Sequence, residues 1–102
     1  MLNDFNMTPH MQDAINRIIA ERKRQNEKWG EGSYNHPFEW MSILGEEFGE
    51  LCEAVNETCF TNPTHPECGG YDKIIKEATH VAAVAAAIIE DMVQAKEEKS
   101  AS

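Results

Sequence analysis

A chain of 102 residues with 41% hydrophobic and 26% charged side chains reads as one globular domain, too short to bury a large core without help from associated subunits. The formal net charge of −9 excludes nucleic-acid binding through the overall field, but leaves open a phosphorylated small molecule if metal cations offset the repulsion. The opening "MLNDFNMTPH" has neither the basic start nor the apolar run of a signal peptide, and the longest uninterrupted apolar stretch, 81–89, is short for a bilayer; the expectation is a soluble, cytoplasmic protein with no membrane partner.

Three helical segments are predicted, and no strand. Thr8 is placed to cap the first and Pro9 suits its first turn. Met11, Ile15, Ile18 and Ile19 then recur at helical spacing, and the pattern runs to about residue 29, where "GEGSYNHP" breaks it. Arg22, Asn26 and Trp29 prolong this apolar side, with Gln25 on its flank. They form either the wall of a ligand pocket or, for Trp29, a packing residue and, for Arg22, a surface arginine with a packed stem.

The second helix is expected to begin after Asn35 or His36, with Pro37 in its first turn, and to reach about residue 57. At about 100° per residue, Leu44, Phe48, Leu51 and Val55 make an apolar stripe. Glu39, Glu46, Glu50, Glu53 and Glu57 lie nearly opposite, as an ordinary solvated face would. Glu47 departs from that face and sits on the flank with Ile43 and Ala54, three residues from Glu50, where like charges repel unless a cation lies between them. Gly45 and Gly49 each cost about 1 kcal/mol relative to alanine inside a helix, which points to close packing of a neighbour.

The stretch "TCFTNPTHPECGG" reads as a loop, and Asp72 as the cap of a third helix running to about residue 95, with residues 97–102 frayed. "VAAVAAAII" is apolar all round, so this helix belongs near the centre of an oligomeric bundle. Glu77, His80, Val81, Val84 and Ile88 share one face. A carboxylate and an imidazole at i and i+3 thus extend an apolar stripe, a costly placement without a partner. They either reach water near the helix start or face Glu47 and Glu50 across the bundle, where two such pairs encircle a divalent cation. Cys52, Cys59 and Cys68 form no evident disulfide framework and are expected to be reduced; a zinc module of Cys59, His65 and Cys68, with Cys52, fits no established zinc spacing.

The segment "ERKRQNEKWGEGSYNHPFEWMSILGEEFGELCEA", followed after a loop by "KEATHVAAVAAAIIE", resembles the MazG-like all-α nucleoside triphosphate pyrophosphohydrolases over roughly residues 11–95. The family's E-E-x-x-E…E-x-x-D pattern is matched by Glu46-Glu47-Phe48-Gly49-Glu50 and Glu77-Ala78-Thr79-His80, with histidine at the last position. The resemblance implies one all-α domain over 1–102, three long helices per chain completed by oligomerisation to a homodimer or homotetramer. It implies cleavage of nucleoside triphosphates between the α and β phosphates, with Mg²⁺ as cofactor. Glu47, Glu50 and Glu77 would hold the metal and Glu46 would support the site. His80 would join them, bringing Mn²⁺ or another divalent ion into play. Glu46 or Glu50 would activate water, Arg22 or Lys73 would hold phosphates, and Trp29, with Gln25 beside it, would receive the base. The alternative is a non-catalytic nucleotide- or partner-binding bundle with a degenerate metal site.

Overall fold

The computed structural model describes residues 6–30, 35–61 and 70–101, without the side chains of residues 59–61. Three α-helices and no strand occur among the described residues: α1 (Pro9–Trp29), α2 (Pro37–Thr61) and α3 (Tyr71–Ala101). The all-α expectation holds at this level. The proposed zinc residues Cys59, His65 and Cys68 lie outside the described side chains, and Cys52 is an exposed free thiol.

Local chemistry sets the helix ends. The Thr8 hydroxyl accepts the Met11 amide at 3.1 Å, with Pro9 following it. At the other end of α1, Gly30 adopts φ 87°, a conformation open to glycine, and its amide closes the last turn on the Asn26 carbonyl at 2.8 Å. Before α2, the His36 carbonyl accepts from the Glu39 and Trp40 amides, and its Nδ1 accepts the Phe38 amide at 3.1 Å. Glu39 reaches back to the His36 amide at 2.8 Å, a reciprocal cap in which histidine replaces the usual serine or threonine.

Two boundaries differ from expectation. Asp72 is not the cap of α3 but lies inside its first turn, where its charge still suits the helix dipole; the Gly70 carbonyl accepts the Ile74 amide. The tail does not fray at residue 97. "KEEKSA" continues α3 to Ala101, as lysine, glutamate and alanine favour, with Lys99 complementing the last turn.

α3 is the shared element. Among the described residues, α1 and α2 each pack on α3, with no close backbone approach between the two. Ala83, Val84 and Ala87 are buried, and Val84 and Ala87 cluster with Trp40, flanked by Ile43, Leu44 and Ile88. The face α2 turns inward therefore runs through Trp40, Ile43, Glu47, Ala54 and Thr58. It is not the expected stripe: Leu44 and Leu51 are half-buried, while Phe48 is 56% exposed and Val55 lies open as well. Small residues favour the choice: Ala54 is fully buried, and Thr58 lies so close to Gly70 that a side chain there would overlap it, an approach a bulky residue on this face would not allow.

The radius of gyration is 16.4 Å, against about 13 Å for a compact chain of this length. Apolar side chains remain uncovered on all three helices, including Met11, Ile19, Met41, Ile89 and Val93. α3 is also long and apolar enough, by length and composition, to cross a bilayer, since an 18-residue window reaches a mean hydropathy of 1.2. That corrects the inference from the uninterrupted run alone, because the apolar window extends past its ends; the core helix of a soluble bundle has the same composition.

Candidate metal centre and adjoining cleft

The inward turn of Glu47 on α2 meets the Glu77–His80 pair on α3. Glu47, Glu50, Glu77 and His80 each offer a donor atom, and these atoms lie within 4.8 Å of one another. Donors bound at roughly 2.0–2.6 Å to one ion stand at most about 4–5 Å apart, so the spacing suits a divalent cation. All four sequence-selected metal ligands are thus brought together. Glu77 is 8% exposed, Glu47 and His80 are half-buried, and Glu50 closes the group from the solvent side.

Buried Oε2 atoms of Glu47 and Glu77 accept no hydrogen bond. An unpartnered carboxylate oxygen in a protein interior is expensive, and here two of them point into one cluster. His80 faces both: its Nδ1 lies 3.5 Å from Glu47 Oε2 and 3.8 Å from Glu77 Oε2. Those distances exceed hydrogen-bonding range, and they leave room for an ion among the groups. The donor set, three carboxylates and one imidazole, fits a divalent ion and does not by itself name the element.

Glu21 of α1 was not selected from the sequence. It stands on the far side of His80, with Oε2 3.9 Å from Nε2. Arg24, expected to be merely solvated, forks it with hydrogen bonds of 2.9 and 2.6 Å. Chiefly through that bond, and against the cost of burial, Arg24 holds the Glu21 carboxyl below its ordinary pKa. The spacing Ala14, Ile18, Glu21, Gln25 places Glu21 on one helix side, a signal available in the sequence.

Beside the cluster lies a cleft of about 360 Å³ between α1 and α2, floored by α3. Arg22, Asn26 and Trp29 line one side, Trp40, Ile43, Glu46 and Glu47 the other, and Ala87 and Asp91 the floor. Arg22, Trp29 and Glu46 therefore stand where a pocket-wall reading needs them. The Arg22 guanidinium is already engaged. It pairs with Glu90 through bonds of 2.7 and 2.9 Å and donates to Gln25 and Asn26 at 2.9 and 3.1 Å. The Glu90 bond raises the Arg22 pKa and lowers that of Glu90.

Gln25 and Lys73 do not line the cleft. Gln25, 2% exposed, bridges Arg22 and Glu21 from within α1. Lys73 sits in the first turn of α3 and pairs with Glu57 at 2.5 Å, near the chain reversal. Asp91 was also missed. Its Oδ2 accepts the Trp40 indole at 2.7 Å and the Asn35 amide at 3.3 Å, and the spacing Val84, Ala87, Ile88, Asp91 had placed it on the buried side of α3.

No family model matches the chain, and no match was found among curated proteins or solved structures.

Proposed function

We propose that this chain is a metal-dependent nucleoside triphosphate pyrophosphohydrolase of the MazG-like all-α type, cleaving a nucleoside triphosphate to the monophosphate and pyrophosphate. The observation that carries the reading is the convergence of Glu47, Glu50, Glu77 and His80 at the edge of a cleft lined by Trp29 and Trp40. Glu47, Glu50, Glu77 and His80 would hold the cation. When bound, it neutralises charge on the phosphoryl oxygens and lets an acidic protein accept a polyanion.

The remaining roles fall to the chain's own groups. Glu46 lines the cleft and stands outside the four clustered donors, so it is the carboxylate free to orient and deprotonate the attacking water. Glu50, exposed at the cluster's rim, is the second candidate. Trp29 offers its ring to the base. Arg22, held by Glu90, braces the wall that carries Asn26 and Trp29, and the phosphates rely on the cation more than on this guanidinium. Lys73, one turn before Glu77, is a secondary phosphate contact at most from the far side of the cluster.

The reading includes assembly in the cytoplasm. Phe38, Met41, Gly45, Phe48, Cys52 and Val55 are all exposed on α2 and alternate in steps of three and four, the spacing of a helix–helix seam. A methyl group at Gly45 or Gly49 would meet nothing within 4 Å among the described residues. A second copy on this seam completes a bundle that one chain leaves open, and gives α3 a protein environment.

The test is hydrolysis of a panel of nucleoside triphosphates with Mg²⁺ and with Mn²⁺, wild type beside Glu50→Ala and Glu46→Gln. Pyrophosphate release by the wild type, reduced at least about 100-fold in Glu50→Ala, supports the proposal. Equal activity, or equal inactivity, in wild type and Glu50→Ala overturns it. Nucleotide binding without turnover under every metal favours the non-catalytic bundle instead.

A further inference from the structure

Glu21 has no part in the hydrolysis proposed above, yet its side chain is only 10% exposed and its carboxylate faces the one nitrogen donor of the cluster. The two ring nitrogens of His80 look in different directions: Nδ1 toward Glu47 and Glu77, Nε2 toward Glu21. A neutral imidazole carries one N–H, and the acceptor beside it decides which nitrogen that is. An ion held by Nδ1 among the unpartnered oxygens of Glu47 and Glu77 leaves that N–H on Nε2, where the Glu21 carboxylate is the facing acceptor. Histidine ligands that hold a metal with one nitrogen and a carboxylate with the other are more basic and better oriented than unsupported ones.

Arg24 matters here as an anchor. Its two hydrogen bonds to Glu21, with Gln25 bonded to the same Oε2 at 3.4 Å, fix where that carboxylate sits on α1. The cluster on α2 and α3 is thereby supported from the third helix, which contributes none of the four converging donors.

We propose that Glu21 is a positioning residue that orients His80 as an Nδ1 donor and so gives the centre a preference for first-row transition ions over Mg²⁺. Imidazole favours the former, whereas Mg²⁺ is served by oxygen ligands alone. The proposal rests on the cluster being a metal centre, but not on which substrate, if any, is hydrolysed.

The experiment is a titration of metal-free protein with Co²⁺, read by visible absorption, with Mg²⁺ as competitor. Wild type is compared with Glu21→Ala, Glu21→Asp and His80→Asp, and circular dichroism confirms helicity. The expected result is a Co²⁺ affinity about 10–100-fold weaker in Glu21→Ala, partial recovery in Glu21→Asp, and Mg²⁺ affinity changed far less. His80→Asp should lose the preference for Co²⁺. Equal weakening of both ions in Glu21→Ala would mean that Glu21 contributes only charge, and would overturn the proposal while leaving the metal centre intact. A Co²⁺ spectrum unchanged in His80→Asp would overturn it too. Failure of every form to bind either ion would remove the metal centre itself. A hydrolysis assay is not read here, so an error in substrate class cannot be mistaken for any of these outcomes.

Discussion

Trp40 and Asp91 are joined by a 2.7 Å hydrogen bond from the indole nitrogen to Oδ2, tying the first turn of α2 to the distal half of α3. Asp91 also accepts the Asn35 amide, so one carboxylate fixes both the entry to α2 and the floor of the cleft. Trp40→Phe keeps most of the apolar contact and deletes the donor. It should destabilise by about 1.5–3 kcal/mol, toward the lower figure because Asp91 is only half-buried. Thermal unfolding of wild type and variant measures it, and an unchanged midpoint would show that the bond contributes nothing net.

Binding of a divalent ion should stabilise the fold. At a hundredfold excess over Kd the gain is about 2.7 kcal/mol. Glu77→Gln should lose most of that gain. Without ions the variant should be at least as stable as the wild type, since it removes a buried carboxylate oxygen that has no hydrogen-bond donor. Thermal shifts with and without Mn²⁺ separate the two effects; identical ion responses in both proteins would contradict the metal assignment.

The Arg22–Glu90 pair makes a prediction about acid. Its hydrogen bonds hold the Glu90 carboxyl below the ordinary value of 4.5. A carboxyl with a depressed folded pKa stabilises the fold fully above its unfolded value and loses that contribution as pH falls through the folded one. The α1–α3 clamp should therefore be intact above about pH 4.5–5 and weaken below it. Glu90 is largely exposed, so the contribution is modest, about 0.5–1 kcal/mol. Glu90→Gln should lower stability by that amount near pH 7 and by progressively less as the solution is acidified, measured by urea unfolding across pH.

Assembly through α2 can be tested with two opposite substitutions. Wild type should sediment as a multiple of 11.5 kDa. Phe48→Asp places a charge in the centre of the exposed seam and should shift the protein toward monomer. Gly45→Ala should behave differently: it favours helix by about 1 kcal/mol and meets no neighbour within 4 Å among the described residues, yet a close-packed second copy would collide with the new methyl group. Stronger α2 helicity together with weaker self-association, read by circular dichroism and analytical ultracentrifugation, is the expected combination.

The legible part of this molecule was the part governed by helical periodicity and helix-end chemistry. Thr8, Pro9 and Pro37 marked two helix starts, and the inward lean of Glu47 followed from its angle relative to Ile43 and Ala54. The i, i+3 pair of Glu77 and His80 on an apolar stripe announced an unusual interior before any neighbour was known. What periodicity could not supply was the choice between two apolar faces on α2. The contest turns on how closely the two helices can approach, as where Thr58 meets Gly70 beside the buried Ala54, and that is a property of the pair of helices. The same limit hid the partners of the polar residues. Arg22 looked available for phosphate until Glu90, 68 positions away in sequence, proved to occupy it, and Gln25 turned out to be an internal brace. Glu21 and Asp91 lay in register with their buried neighbours, but an acidic residue in register becomes a site component only when the facing helix is known.

Because, among the described residues, α1 and α2 make no close backbone approach to one another, α3 serves as an axle carrying two vanes. It bears the cluster members Glu77 and His80 near one end and the clamp residues Glu90 and Asp91 toward the other, all on one continuous helix. A roll of that helix about its length would carry the donor cluster and the cleft floor together. Glu47 of α2 belongs to both the cluster and the cleft and gives a second link, so what occupies one bears directly on the other.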